Sequence, residues 1–345
     1  MIEYKQGNLL QADLEALINT VNCVGVMGKG IALQFKQTFP ENFKQYEKAC
    51  KLGKVVIGEM FVVSLDSIVN PRYIINFPTK AHWKEKSKLS YIESGLENLI
   101  KTIKKYEIKS IAVPPLGCGN GGLDWKVVQP LIESAANQLP DVHFVIYPPT
   151  GSPNPDEIIV RTSTPKLTRS RSLLILLMSM YEKPGYKLSL LEIQKLAYFL
   201  QECGETLRLN FVKAQYGPYA ENLNHVLQRL EGHYIRGYGD RNRESQIYIL
   251  SNAIQEVEGF ISEYGDNKIN ELLDAVNKII EGFETPYGLE LLATTDWIIK
   301  HNEQAKSDMD YTVSLFKSWN KRKEKLFSEK HIQIAWKNLV DLSIH

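Results

Sequence analysis

The sequence predicts an α/β domain followed by a mostly helical one. Three observations carry this. Through the first ~150 residues, short apolar runs of strand length alternate with amphipathic segments of helical period. Two of the strand-to-helix junctions are glycine-rich. Beyond a Pro/Ser/Thr-rich stretch the strand signal almost vanishes and helical patterns dominate.

In the first half the strand candidates are 16–21, 55–65, 73–77, 110–114 and 142–147, and the helical candidates are 30–38, 90–106 and 124–138. Within 90–106, Ile92, Leu96, Leu99, Ile100 and Ile103 recur at helical spacing and mark one buried face. Alternation of this kind implies a largely parallel sheet covered on both sides, with ligands received beyond the carboxyl ends of its strands. The segment 148–172 (PPTGSPNPDEIIVRTSTPKLTRSRS) reads as a linker, with domains at 1–155 and 173–345 and a connection at 156–172. After it, helices are expected at 172–181, 189–203, 219–230, 254–264, 268–283, 288–300 and 329–342. A short hairpin, 233–238 with 246–250, flanks the polar turn GDRNRES.

Composition excludes several classes. The 345 residues are 43% apolar with 41 Lys+Arg against 40 Asp+Glu, so no polyanion-binding surface covers the whole molecule. The longest apolar run, 173–178, falls far short of a membrane span, and the N-terminus MIEYKQGNLL carries no apolar signal stretch, so neither membrane insertion nor export is expected. Four scattered cysteines without C-x-x-C or Cys/His spacing argue against a disulfide framework or a zinc site and for reduced cytoplasmic thiols. Charge is uneven: 256–310 holds 13 acidic and 4 basic residues. That stretch is either a solvated helical face or an acidic surface for a basic partner. The run KRKEK at 321–325 reads as an exposed helix end.

Three segments carry the candidate chemistry. In 110–124 (SIAVPPLGCGNGGLD) a strand runs into a loop with Gly117, Gly119, Gly121 and Gly122 and then into a helix, so backbone amides and a helix N-terminus suit a phosphate or pyrophosphate. The spacing fits neither G-x-G-x-x-G nor the P-loop. In 19–31 (NTVNCVGVMGKGI) a second strand, loop and helix start offers the amides of Ile31, Ala32, Leu33 and Gln34, with Asn22 able to meet a sugar hydroxyl or form a turn. In 76–83 (NFPTKAHW) Lys80 follows a strand directly; partial desolvation near Phe77 and Trp83 would lower its pKa and leave a nucleophilic amine. His82 is a weaker acid–base candidate. Cys118 lacks a partner histidine, and Asp124 reads as a helix cap, which leaves two-carboxylate glycosidase chemistry unsupported.

Together these segments resemble the macrodomain family of ADP-ribose-binding modules. Gly7-Asn8-Leu9-Leu10 stands where many macrodomains have G-D-[IL], and MGKGIALQFK, PPLGCGNGGLDW and NFPTK are similar to the lysine-dependent ADP-ribosyl hydrolase branch, the DarG antitoxins of DarTG systems above all. The resemblance implies an about six-stranded mixed sheet between helices, followed in this chain by a mostly α-helical second domain with a short hairpin. It implies an enzyme that hydrolyses the link between ADP-ribose and a base, thymine by expectation, in single-stranded DNA, releasing ADP-ribose. It also implies a second domain that binds and inhibits a DarT-type toxin. No cofactor, metal or membrane is implied. Lys80 would be the catalytic residue, with Thr79 beside it. Asn8 and Leu9 would lie at the adenine, and Thr20, Val21 and Asn22 near the distal ribose. Ile31 to Gln34 and the loop Gly117, Cys118, Gly119, Asn120 and Gly121 would hold the phosphates and distal ribose. Two departures stand out: Asn8 replaces the usual Asp, losing charge assistance to the adenine amino group, and Gly121 falls where human-type relatives carry an acidic residue. A non-catalytic ADP-ribose reader and a nucleotide-processing enzyme of the same fold are the competing readings.

Overall fold

A computed structural model describes residues 1–149, 157–181, 186–239, 246–265 and 268–342. The chain divides into two compact units, Met1–Ser163 and Thr164–His345. No helix among the described residues is long and apolar enough to cross a membrane.

The first unit is built on a six-stranded sheet of β1 (Ile2–Tyr4), β2 (Ala16–Asn22), β3 (Phe61–Ser64), β4 (Tyr73–Lys80), β5 (Ser110–Val113) and β6 (His143–Ile146), in the order β1-β6-β5-β2-β4-β3. All neighbours are parallel except the edge strand β3. Side chains of a strand alternate between faces, and here both faces are buried. Ala16, Ile18, Ile75, Phe77, Ile111, Val113, Phe144 and Ile146 pack with Ile92, Leu96, Leu99 and Ile103 of α3 (Leu89–Lys105) and with Val128 and Ile132 of α4 (Trp125–Asn137). Leu17, Ile74, Ala112 and Val145 meet Phe35 of α1 (Gly30–Thr38) and Leu9 and Leu10 on the other face. This is why the strands read as unbroken apolar runs.

Four elements of the first unit depart from the sequence expectation. Strand β1, absent from the expectation, is only three residues long and carries no alternating pattern to read. The strand expected at 55–65 is confined to 61–64, because Gly58 takes φ +85° and the chain turns there. Val55 instead joins Val21, Met27, Tyr46 and Ala49 in a small separate cluster. Helix α2 (Pro40–Lys51), absent from the expectation, starts on a proline at its first turn and buries only Asn42, Tyr46 and Ala49, too few for an apolar stripe. Of the segment expected as linker, residues 157–161 lie against the first unit: Thr38 Oγ1 donates to the Ile159 carbonyl at 2.8 Å and Arg161 N to the Gln37 carbonyl at 2.8 Å.

The second unit is mostly helical, as expected. It comprises α5 (Arg169–Tyr181), α6 (Leu190–Glu202), α7 (Leu223–Leu230), α8 (Ser251–Tyr264), α9 (Lys268–Ile280), α10 (Pro286–His301), α11 (Met309–Lys317), α12 (Lys321–Leu326) and α13 (Glu329–Asp341). The expected hairpin pairs β9 (Ile235–Arg236) with β10 (Tyr248–Ile249); residues 240–245 of its turn lie outside the described residues. A second hairpin, β7 (Phe211–Ala214) with β8 (Gly217–Ala220), occupies the start of the helix expected at 219–230. The reason is Gly217, at φ +90°, followed by Pro218.

The basic run at 321–325 is only in part the expected exposed helix end: Lys321, Glu324 and Lys325 of α12 are exposed, but Lys323 and Arg322 are engaged. Lys323 is fully buried, donating to Glu290 at 2.6 Å and Thr294 Oγ1 at 2.9 Å, and Arg322 binds the same carboxylate at 2.6 and 3.1 Å. The acidic stretch is likewise divided. Glu290 and Asp296 are buried, the latter accepting from Tyr198 Oη at 2.6 Å, while Glu256, Glu258, Glu263, Glu271, Asp274, Glu281 and Glu284 are exposed.

Candidate active site at the sheet end

The end of β4 is shaped by a proline. Pro78 has no N–H for the ladder, and the β2–β4 register slips immediately after it: Val21 pairs with Pro78, then Asn22 with Lys80. The extra residue, Thr79, is buried and donates to the Val21 carbonyl at 3.5 Å. Such irregularities re-aim a side chain at a strand end. The Lys80 ammonium donates to the main-chain carbonyl of Asn120, in the glycine loop. Partial burial holds its pKa below the ordinary lysine value, and no carboxylate contributes to that shift.

The glycine loop is a compact turn. Cys118 N donates to Pro115 O, Gly122 N to Gly119 O and Leu123 N to Gly117 O, each at 3.1 Å. Gly121 is required by close approach: a Cβ there would stand 2.1 Å from the Gly117 carbonyl oxygen and 2.4 Å from Ser87 Oγ. A carboxylate side chain at 121 therefore has no room in this loop. Gly119 differs, being exposed, outside the left-handed region and with no atom within 4 Å of a Cβ. No local packing demands a glycine there, so its bare backbone suits the approach of a ligand. Asp124 caps α4 as expected, accepting from Lys126 N at 2.9 Å. Burial pushes the Cys118 thiol up to about 11, which leaves it inert as a nucleophile near neutrality.

The loop after β2 is fixed from within. Asn22 Oδ1 accepts from Val24 N at 3.0 Å and Val26 N at 3.3 Å, and its Nδ2 donates to the Val26 carbonyl at 2.6 Å. Tyr46 of α2 donates to the Asn22 carbonyl at 2.6 Å, and Cys23 N to the Ala81 carbonyl at 3.2 Å. The Asn22 amide thus sets the shape of its own loop. Lys29 gives α1 no side-chain cap. Leu33 and Gln34 are buried and Ile31 and Ala32 half-buried, so backbone N–H groups rather than side chains are what this helix end presents.

Thr79, Lys80, Thr20 to Asn22 and the glycine loop are thus brought together at the carboxyl ends of β2, β4 and β5. Asn8 and Leu9 sit beyond β1. Asn8 caps a short turn at Leu10 N (3.0 Å) and donates to the Glu157 carbonyl at 3.3 Å, while Leu9 is buried. His82 Nδ1 accepts from Lys84 N at 3.3 Å inside the next turn. Sequence reasoning missed Ser87 and Tyr46. Ser87 is 7% exposed, donates its N–H to the Gly121 carbonyl at 3.0 Å and leaves its hydroxyl without a partner among the described residues. Nothing in a polar loop such as KEKSK distinguishes that serine, and Tyr46 lies in a helix with no apolar stripe.

Comparison with known proteins adds four findings. The family model described as Macro domain matches residues 18–132. A DNA ADP-ribosyl glycohydrolase of Thermus aquaticus is 47% identical over 97% of this chain and 92% of its own length. A DNA ADP-ribosyl transferase–DNA ADP-ribosyl glycohydrolase fusion protein of Thermosipho africanus is 36% identical over 44% of this chain and 42% of its own. Among solved structures, the macrodomain of Mycobacterium tuberculosis DarG is 63% identical, covering 44% of this chain and 99% of that one, with a TM-score of 0.43.

Proposed function

The chain belongs to the macrodomain-containing DNA ADP-ribosyl glycohydrolases, and from that premise we propose that Lys80 is the nucleophile that detaches ADP-ribose from a base, thymine foremost, in single-stranded DNA. The observation that carries this is the Lys80 ammonium, its pKa lowered by burial, resting on the glycine-loop backbone. Loop amides of 117–121 and the start of α1 hold the pyrophosphate, with Asn8 and Leu9 at the adenine and Thr20 to Asn22 by the distal ribose. This fixes the anomeric carbon against the amine.

The neutral amine attacks that carbon, and the glycosidic C–N bond breaks. Its electrons pass to the base, which takes up the proton shed by the new C–N⁺ bond. Water then adds at the same carbon, the lysine leaves as free amine, and ADP-ribose departs with an anomeric hydroxyl. The Asn120 carbonyl stands where a helper carboxylate would act, positioning the amine without adding charge.

We assign residues 1–155 to this catalytic domain and residues 173–345 to binding and neutralising a DarT-type toxin, with 156–172 between them. The fused relative supports such a partnership, and the exposed acids of α8 and α9 suit a basic, DNA-binding partner. The deciding assay incubates a mono-ADP-ribosylated single-stranded oligonucleotide with wild type and Lys80→Ala. Release by wild type alone, with ADP-ribose still bound by the variant, supports the assignment; equal release by both overturns it.

A further inference from the structure

The loop from Ala81 to Lys88 connects β4 to α3 along the rim of the site, and it is anchored at both ends. Near its start, Glu85 N donates to the His82 carbonyl at 3.1 Å, closing a tight turn with Trp83 and Lys84 at its tip. Near its end, Ser87 N is bound to Gly121 of the glycine loop. This well-anchored turn nevertheless holds an indole in water: Trp83 is 49% exposed. The His82 ring lies 5.5 Å away and the Lys84 ammonium 5.0 Å from the indole centroid. Lys84, Lys86 and Lys88 are all exposed, against the single acid Glu85.

Single exposed aromatics are ordinary on protein surfaces. Trp83 is set apart by position and company. It follows Lys80 by three residues, hence within ~10 Å along the chain. It belongs to a loop tied to the glycine turn that holds the Lys80 ammonium. The Lys84 ammonium lies against its ring, Lys86 and Lys88 are exposed farther along the same loop, and the Lys88 ammonium rests over the Tyr91 ring. An aromatic face with interleaved cations binds unpaired nucleic acid, because an unpaired base offers its π-face and its phosphates pass within reach of the ammonium groups. A duplex keeps those faces stacked on one another.

We propose that Trp83 is the stacking platform for a base of the single strand that carries the adduct, with Lys84, Lys86 and Lys88 following the strand's phosphates. This rests on the assignment of the site to ADP-ribosylated single-stranded DNA and adds how the strand, rather than the adduct, is held.

The test uses the full chain as wild type, Trp83→Ala, Trp83→Phe and the triple Lys84→Ala/Lys86→Ala/Lys88→Ala. Three probes are used: an unmodified single-stranded oligonucleotide, its mono-ADP-ribosylated form, and the single modified nucleoside. Loss of one base–aromatic stack raises the oligonucleotide Kd of Trp83→Ala about tenfold. KM for the modified oligonucleotide rises alike, release from the nucleoside falls much less than release from the oligonucleotide, and Trp83→Phe recovers most of the loss. The triple variant flattens the salt dependence of oligonucleotide binding, by ~0.7 in log–log slope per phosphate contact removed. Equal Kd for wild type and Trp83→Ala, or equal slowing on nucleoside and oligonucleotide, overturns the platform. If wild type releases nothing from either modified probe, the hydrolase assignment falls instead, and the unmodified oligonucleotide still decides the platform.

Discussion

Lysines with depressed pKa values occur in both units, in opposite settings. Lys80 is half-buried at the open end of a sheet and bonded to one backbone carbonyl. Lys195 and Lys323 are sealed in the core of the second unit. Lys195 donates to the Pro218 carbonyl at 2.6 Å, and Lys323 is paired with Glu290 and Thr294. Desolvation lowers all three. The shift alone therefore does not identify the chemistry. What separates them is access, since a neutral amine is a nucleophile only where a carbon atom reaches it.

The sharpest break of that comparison is to delete each ammonium or its partner and read activity and stability separately. Lys80→Ala is expected to lower adduct release ~10³-fold or more while moving the unfolding midpoint by no more than about 2 °C. Wild-type release should rise with pH while the Lys80 ammonium still holds its proton and level off once it is neutral, and the variant should lack that limb. Glu290→Ala should do the reverse. It strands Lys323 and Arg322, at a cost of ~3–5 kcal/mol for breaking a buried pair, and lowers the melting midpoint of the second unit on the order of 10 °C. Thermal unfolding of the full chain beside the release assay checks both. A Lys80 variant that unfolds early, or a Glu290 variant of normal stability, removes the distinction.

The two units also differ in how far their sequence disclosed them. Strands β2, β4, β5 and β6 and helix α3 announce themselves because both sheet faces are buried and the helical stripe is clean. The glycine loop was legible because glycine at 117 and 121 answers to backbone geometry, which sequence states directly. Helix α2 and Ser87 were not, since a few buried residues in a polar segment leave no period. In the second unit the charged residues misled. Lys323, Glu290 and Asp296 count as surface by type, yet each finds its partner far along the chain, and pairing across that distance is invisible to local pattern.

A finer test stays within the glycine loop. Gly121→Ala sets a methyl group against the Gly117 carbonyl and forces the loop open. ADP-ribose binding should weaken ~10–100-fold, as expected for ~1–3 kcal/mol of overpacking, with release falling further as the Asn120 carbonyl withdraws from Lys80. Gly119→Ala meets nothing and should keep the fold intact. It weakens binding only through the methyl group it interposes before the ligand, a loss of about tenfold or less by titration. Equal losses in the two variants would mean that glycine is needed at both places for one reason, against the geometry.

The smallest effect lies in the pH dependence of stability. Burial, with Lys323 nearby, brings Lys195 down to about 7 from its ordinary 10.5. Between those values the unfolded chain binds a proton that the native chain has lost, so stability rises with pH above 7, by at most ~1.4 kcal/mol per pH unit. Glu231, raised to about 7 by burial, acts oppositely but only below that value, and the raised cysteine thiols matter only near 9 and above. The window from 7 to 8.5 therefore belongs to the buried lysines. Lys195→Met keeps the side-chain volume and removes the titration, so denaturant unfolding of wild type and variant across that window should give a steeper rise for wild type. Parallel curves would mean that Lys195 keeps its proton in the native state and that the Pro218 carbonyl alone offsets its burial. The amine at the sheet end would then act through loss of its charge where Lys195, for all its burial, keeps its own.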